Sequence, residues 1–260
     1  MNVEEDTVEA WALEYVATAS LAHKLSPPPL PERWMAAPSC LRIAAPGRPP
    51  ELHVRARREK MRGLGSAEGR ARALATFLHH ELQAAELMAW AILAFADAPP
   101  AFRRGLAHIT QDEVRHMRMY RAHMQHLGFD VGEFPVRDWF WERVPTSRDA
   151  RAFVAVMGLG LESANLEHAT SFAAKFREAG DEEGAELQER VGEEEIGHVR
   201  FGAKWFATFA GTLSFDAWRQ ALPEPLSPML MRGSPIRRDA RRMAGQPDDF
   251  IDELEAWTPA

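Results

Sequence analysis

The chain has 260 residues, 46% of them hydrophobic and 27% charged, and a formal net charge of −7. Such a composition supports an ordinary packed core. The acidic balance disfavours a general nucleic-acid binder, because phosphate neutralisation needs clustered Lys and Arg, although it leaves a local basic patch open. The single cysteine, Cys40, excludes an internal disulfide and fits a reducing cytoplasm. The N-terminus, Met1 to Asp6, is acidic where a secretory signal would be basic, and no apolar stretch follows it. The longest apolar run, Leu87 to Ala96, is too short to span a bilayer. The expectation is a cytoplasmic protein that enters no membrane.

In chain order, residues 3–22 predict an amphipathic helix, with Val8, Trp11, Ala12, Tyr15 and Ala19 at helical spacing. Proline then recurs from Pro27 to Pro50 at a density that forbids helix and strand alike, so this stretch reads as an extended wrap. A basic patch, Arg55 to Arg62, precedes Gly63. Four long helical patterns follow. The first runs from Ala67 to Ala96. The second starts at Pro100, a favourable first-turn residue, and ends at Leu127 before Gly128. A loop from Gly128 to Pro145 holds Phe134, Trp139, Phe140 and Trp141, rings expected to be buried across the end of a bundle. The third pattern starts near Thr146 or Ser147 and ends at Gly180; the fourth runs from Asp181 to Gly211. Short links make antiparallel pairs of the first two and of the last two, and the longer middle link is the crossover of a ferritin-like bundle. The tail, 212–260, predicts a helix from Ser214, a proline-broken loop and the basic segment Arg237 to Arg242. No stretch alternates at period two. The expected fold is all-α, with a wrap (1–65), a four-helix bundle (66–212) and a helical extension (213–260).

The chemistry is carried by a duplicated spelling. Glu113-Val114-Arg115-His116 and Glu195-Ile196-Gly197-His198 are the two E-x-x-H motifs of the chain, and a lone glutamate precedes each: Glu81 by 32 residues and Glu162 by 33. One Glu from each of two helices and a Glu-x-x-His pair from each of two others is the ligand set of a dinuclear carboxylate site in a four-helix bundle. In a helix, positions three, four and seven apart share a face. On that rule Glu81 sits among Leu74, Phe77, Leu78 and Met88, Glu113 among Leu106, Ile109 and Met117, and Glu162 among Ala155, Leu159 and Leu166. Around Glu195 the face is small and apolar, with Gln188 a polar exception. An ionised carboxylate in such surroundings needs a counter-charge. Four glutamates balance two divalent cations, and a carboxylate–imidazole set suits Fe or Mn rather than thiolate-rich structural zinc. Glu113 and Glu195 read as bridges, with His116 on one ion and His198 on the other. The bland alternative is a bundle with buried, satisfied Glu–His pairs; one E-x-x-H is weak evidence, but two with matched upstream glutamates are strong.

Other residues are weighed against plainer roles. Tyr120, one turn past His116, is a candidate for a catalytic radical or hydrogen-bonding role, against a packed core tyrosine. Glu86 and Glu167 each lie five residues past a proposed ligand, which places them as pocket or bundle-rim groups rather than ligands. Offsets of the same kind place His79, His80 and His168 on the surface or behind the ligands. Gly158, Gly160, Gly192, Gly197 and Gly202 keep two helices thin, for a substrate cavity or for close packing.

The sequence resembles the ferritin-like superfamily of di-iron carboxylate proteins, and within it a bacterial family catalogued as a domain of unknown function. The resemblance covers most of the chain. It rests on KLSPPP (24–29), HHELQAAEL (79–87), DEVRH (112–116), GEFPVRDWFWE (132–142), LES (161–163), EEIGHVRFGAKWF (194–206) and ARRMAG (240–245). It implies a helical bundle holding two metals, Fe/Fe or Mn/Fe, at Glu81, Glu113, His116, Glu162, Glu195 and His198. It also implies that the carboxylates just before each E-x-x-H, Asp112 and Glu194, hydrogen-bond the ligand histidines. Glu194 stands where Asp is usual.

Three functions compete. The first is an oxygen-dependent oxidase or oxygenase with dioxygen as co-substrate, a small organic substrate and an external electron donor. The second is a tRNA hydroxylase of the MiaE-like kind, more distant relatives, which the two basic segments favour and the overall acidity opposes. The third is non-enzymatic metal binding or storage; the terminal extensions would crowd a ferritin cage, so a homodimer is the larger assembly considered.

Overall fold

The computed structural model describes residues 4–56 and 63–259. Among the described residues the regular structure is helical, joined by turns and loops, and one isolated parallel bridge pairs Val54 with Val136. They form two compact units that divide after Pro145, at the end of the loop predicted to cross the bundle.

The first unit is built on a helical hairpin. Helix α1 spans Val8–Ala17 and α2 Leu21–Leu25; α3 spans Ala67–Ala94 and α4 Pro100–His126. Predicted as one element over 3–22, the N-terminal helix is broken in two. Thr7 caps α1, accepting from the Ala10 amide, and Ser20 caps α2, accepting from the His23 amide. Ser20, a hydroxyl residue that favours caps over helix interiors, thus marks the break. Ser66 caps α3 through the Gly69 amide, and Pro100 occupies the first turn of α4. α4 closes in a Schellman turn. Gly128, at φ 88°, donates to Gln125 O, and Phe129 donates to Met124 O at 3.0 Å.

The proline-rich wrap lies along this hairpin. Leu41 N donates to Leu93 O at 2.9 Å, and the Trp90 indole donates to Ile43 O at 3.1 Å. The Trp11 indole donates to Pro28 O at 2.9 Å. Its extended backbone therefore finds its partners on the helices rather than in a sheet. In the loop after α4, Phe134 and Trp141 are buried as predicted, while Trp139 and Phe140 are half-buried. The predicted basic patch falls mostly on residues 57–62, outside the described residues.

The second unit holds the other hairpin. A short 3₁₀ turn, Val144–Thr146, straddles the division; then α5 (Ala150–Val156), a π turn (Met157–Glu162) and α6 (Ser163–Glu178) run end to end. α7 (Glu182–Ala210) returns antiparallel, followed by α8 (Phe215–Ala221), a 3₁₀ turn (Pro228–Met231), α9 (Arg238–Met243) and α10 (Asp248–Ala256). The predicted third helix starts later than expected. Asp149 caps it through the Ala152 amide, so Thr146 and Ser147 lie outside it. The π turn inside it was not foreseen. α7 fits its prediction within a residue at each end, with Asp181 as cap and Gly211 at φ 75°.

Glycines let α5–α6 and α7 approach. A Cβ on Gly158 would fall 2.6 Å from Gly202 Cα, and one on Gly202 would fall 2.7 Å from Gly158 Cα. Close packing is therefore the role of this pair. Gly160 is filled from outside by Met231, whose Sδ would lie 2.6 Å from an added Cβ, whereas Gly197 faces open space. None of the described helices is long and apolar enough to cross a membrane.

Candidate functional site

Glu81 projects from α3, and Glu113 and His116 from one face of α4; all three side chains are buried. The spacing of three puts Glu113 and His116 side by side, and the antiparallel return of the hairpin brings Glu81 to the same level. His116 Nδ1 lies 3.3 Å from Glu113 Oε2 and 3.6 Å from Glu81 Oε2. One ligand-type atom from each of the three lies within 4.8 Å of the others. Burial alone would lower the basicity of His116. Hydrogen bonds and charge from Glu113 and Glu81 outweigh it and push the imidazole up to about 12. The two carboxylates thus hold a positive charge strongly.

The second unit repeats the arrangement. Glu162 ends the π turn, and Glu195 and His198 share a face of α7; all are buried. His198 Nδ1 lies 2.9 Å from Glu195 Oε2, and Asn165 donates to Glu195 Oε1 at 3.4 Å. Here too the three offer one ligand atom each within 4.8 Å of one another. Each unit therefore contains a buried carboxylate–histidine cluster that could hold a metal ion. A donor set of oxygen and imidazole nitrogen without thiolate suits a divalent cation such as Fe or Mn. The residues fit such an ion: three donors converge, and a cation meets the charge that burial makes costly.

The remaining predicted residues separate by what they touch. Asp112 pairs with Arg115 at 2.7 Å and Glu194 with Arg190 at 3.3 Å. Tyr120 is buried against the Phe77 ring, centroids 5.8 Å apart. His79 is buried rather than superficial, with Nε2 2.8 Å from Asp138 Oδ1. His80 stacks on Phe140, and His168 is exposed.

Glu86 and Glu167 depart most from expectation. They are neither pocket nor rim groups but fully engaged anchors. Glu86 meets Lys24 at 2.8 Å and Arg48 at 2.6 Å, and its other oxygen accepts from the Trp141 indole at 2.8 Å. Glu167 accepts from Arg241 through both oxygens, at 2.8 and 2.7 Å, and from the amides of Gly233 and Arg237. In each unit, then, a glutamate five residues past a proposed ligand is neutralised by cations from the wrap or the tail. The sequence reading missed Lys24, Arg48 and Arg241. Their signal was present in part, since KLSPPP and ARRMAG are among the blocks that carry the resemblance.

Tyr15 was also missed as a neighbour of the cluster. It is wholly buried, and its hydroxyl donates to Lys24 O at 3.3 Å. Burial raises its phenol well above the usual range, and the charges of Glu86 and Glu113 push the same way.

The basic tail segment is likewise committed. Arg238 pairs with Glu255 at 2.8 Å and with Asp252, Arg242 with Asp248 at 2.6 Å, and Arg237 donates to the Thr170 hydroxyl.

An uncharacterized protein of Haemophilus influenzae is 26% identical over 207 residues, covering 75% of this chain and 72% of that protein. No solved structure matches. The family described as "Protein of unknown function (DUF455)" matches residues 5–252, and the chain belongs to that family.

Proposed function

We propose that Glu81, Glu113 and His116, together with Glu162, Glu195 and His198, hold a pair of metal ions, iron foremost with Mn/Fe as the variant, within a ferritin-like arrangement of the two hairpins. We further propose that the chain is an oxygen-dependent oxidase or oxygenase acting on a small organic substrate. The observation that carries the reading is the buried Glu/Glu-x-x-His triad, found once in each unit with ligand atoms within 4.8 Å. The matched spacing of the two copies supports one dinuclear centre over two separate ones. Glu113 and Glu195 are the proposed bridging carboxylates, and Asp112 and Glu194 the groups that orient the ligand imidazoles.

Bound there, a redox-active metal pair supplies electron-transfer chemistry toward dioxygen, which an external electron donor must replenish. The chain's own share is to bind and to exclude water. Leu74, Leu78, Met88, Leu106 and Met117, which share helix faces with Glu81 and Glu113 by spacing, are themselves buried. The anchors Glu86 and Glu167 fix the helices that present Glu81 and Glu162. Lys24 and Arg48 neutralise Glu86 and Arg241 neutralises Glu167, so these cations do not compete for the ligand carboxylates. A tRNA-hydroxylase role gains no support from the tail arginines, since those of 237–242 are engaged inside the chain.

The test is anaerobic loading with ferrous iron followed by metal analysis and oxygen-uptake measurements. Two irons per chain are expected, with oxygen consumption above that of Glu113→Ala across a panel of small substrates. Wild-type protein that retains no iron or manganese would sink the metal reading. Two bound irons with no oxygen uptake would leave storage or metal binding as the function.

A further inference from the structure

The π turn at Met157–Glu162 is wider than an α turn, and its hydrogen bonds reach one residue further. Such a turn needs outside partners for the backbone groups that the α ladder no longer serves. Four residues of the tail supply contacts there. The Trp218 indole donates to Ala155 O at 2.9 Å. Gln246 donates to Ser163 Oγ at 2.8 Å, and that hydroxyl in turn donates to Gly158 O at 3.3 Å. Arg241 donates to Ser163 O at 3.3 Å and to Gln246 Oε1 at 3.1 Å. Met231 seats its sulfur in the gap left by Gly160.

Glu162 is the last residue of the turn and a proposed metal ligand. Were the turn to relax into a regular α register, the extra residue would be absorbed. Everything after it would then rotate by about 100° relative to α5. The side chain of Glu162 would leave the level of Glu195 and His198.

We propose that the C-terminal segment is a clamp on the π turn, and that Trp218, Arg241 and Gln246 act as positioning residues that hold Glu162 in its ligand register. The proposal rests on the metal reading above, and its test separates the two.

The probes are hydrogen exchange over residues 157–163 in the metal-free full-length protein, and titration with Co²⁺ followed by its visible absorption. The variant is Ser163→Ala, which removes the hydroxyl linking Gln246 to Gly158 O while leaving a good helix former. Trp218→Phe is the second variant, keeping the ring and losing the indole donor. Both are expected to speed exchange across Met157–Glu162 by at least tenfold. Both are also expected to weaken one Co²⁺ equivalent by at least tenfold and change its spectrum, while the other equivalent is unaffected. Ser163→Thr, which restores the hydroxyl, is expected to recover both signals. A general loss of stability would instead speed exchange in α7 and α10 to the same extent, and that result overturns the clamp, as does unchanged exchange at 157–162. Faster exchange with two unaltered Co²⁺ equivalents overturns the positioning role. If wild-type protein takes up no Co²⁺, the positioning role falls with the metal reading, and the exchange data alone decide the clamp.

Discussion

Single residues decide how the extensions are held. Glu86 is a buried carboxylate with two cations against it, so removing its charge leaves Lys24 and Arg48 facing each other in the interior. Burial already lowers the pKa of Lys24, with Glu86 opposing that shift. Glu86→Gln should therefore cost about 3 kcal/mol, the scale for breaking a buried pair from one side. Lys24→Met should cost less, because Arg48 still answers the carboxylate. Urea unfolding of both variants checks the order, and a Lys24→Met loss larger than that of Glu86→Gln would contradict the account.

Asp138 gives a pH signature. Burial would raise its pKa, but hydrogen bonds from His79 and Arg48 outweigh it and set the carboxyl at about 2. The folded value lies below the unfolded one, about 3.9, so its contribution is present above that pH and fades as pH falls toward 2. It amounts to roughly 2 kcal/mol. Asp138→Asn should flatten the acid limb of a stability–pH curve between about pH 4 and 2. An unchanged slope in that window would argue that the pairing is dispensable.

Four of the six ligand candidates were legible in the sequence because E-x-x-H spacing is a local rule, and Glu81 and Glu162 because they stand at matched distances, 32 and 33 residues, before the two motifs. The roles of Glu86 and Glu167 were not. Their cations arrive from 38 and 74 residues away, at Arg48 and Arg241, and no periodicity links positions so far apart.

At the scale of elements, helices whose ends are marked by local chemistry came out close to their predictions. Ser66, Pro100, Gly128, Asp181 and Gly211 each supply a cap, a first-turn proline or a left-handed stop, and α3, α4 and α7 follow them. The start of α5 and the π turn did not. Thr146 and Ser147 look as fit to cap as Asp149, and a choice between α and π bonding is settled by side chains of the distant tail. The helix contact at Gly158 and Gly202 makes an exacting comparison within α7. Gly202→Ala would press a methyl to 2.7 Å from backbone, costing about 1–3 kcal/mol of overpacking. Gly197→Ala meets nothing within 4 Å and should gain roughly 0.5–1 kcal/mol from helix propensity. Thermal unfolding of the metal-free variants distinguishes them; equal effects would mean that the two positions pack alike.

For the whole molecule, ligand linkage provides the readout. A metal that binds only the folded chain stabilises it by about 2.7 kcal/mol at a hundredfold excess over Kd. Anaerobic ferrous iron should thus raise the unfolding midpoint of the wild type by several degrees. It should do so less in Glu113→Ala and in Glu195→Ala, measured by calorimetry. Equal shifts in all three proteins would mean that the metal binds elsewhere.

The two anchors also differ in their relation to synthesis. A growing polypeptide is delivered N-terminus first, so by the time Glu86 is made, Lys24 and Arg48 already exist. Glu167 leaves the ribosome well before its guanidinium, which is encoded 74 residues downstream. The earlier hairpin can complete its interior during translation, whereas the later one must wait with a bare carboxylate, open to chaperones and proteases, until the tail emerges to close it.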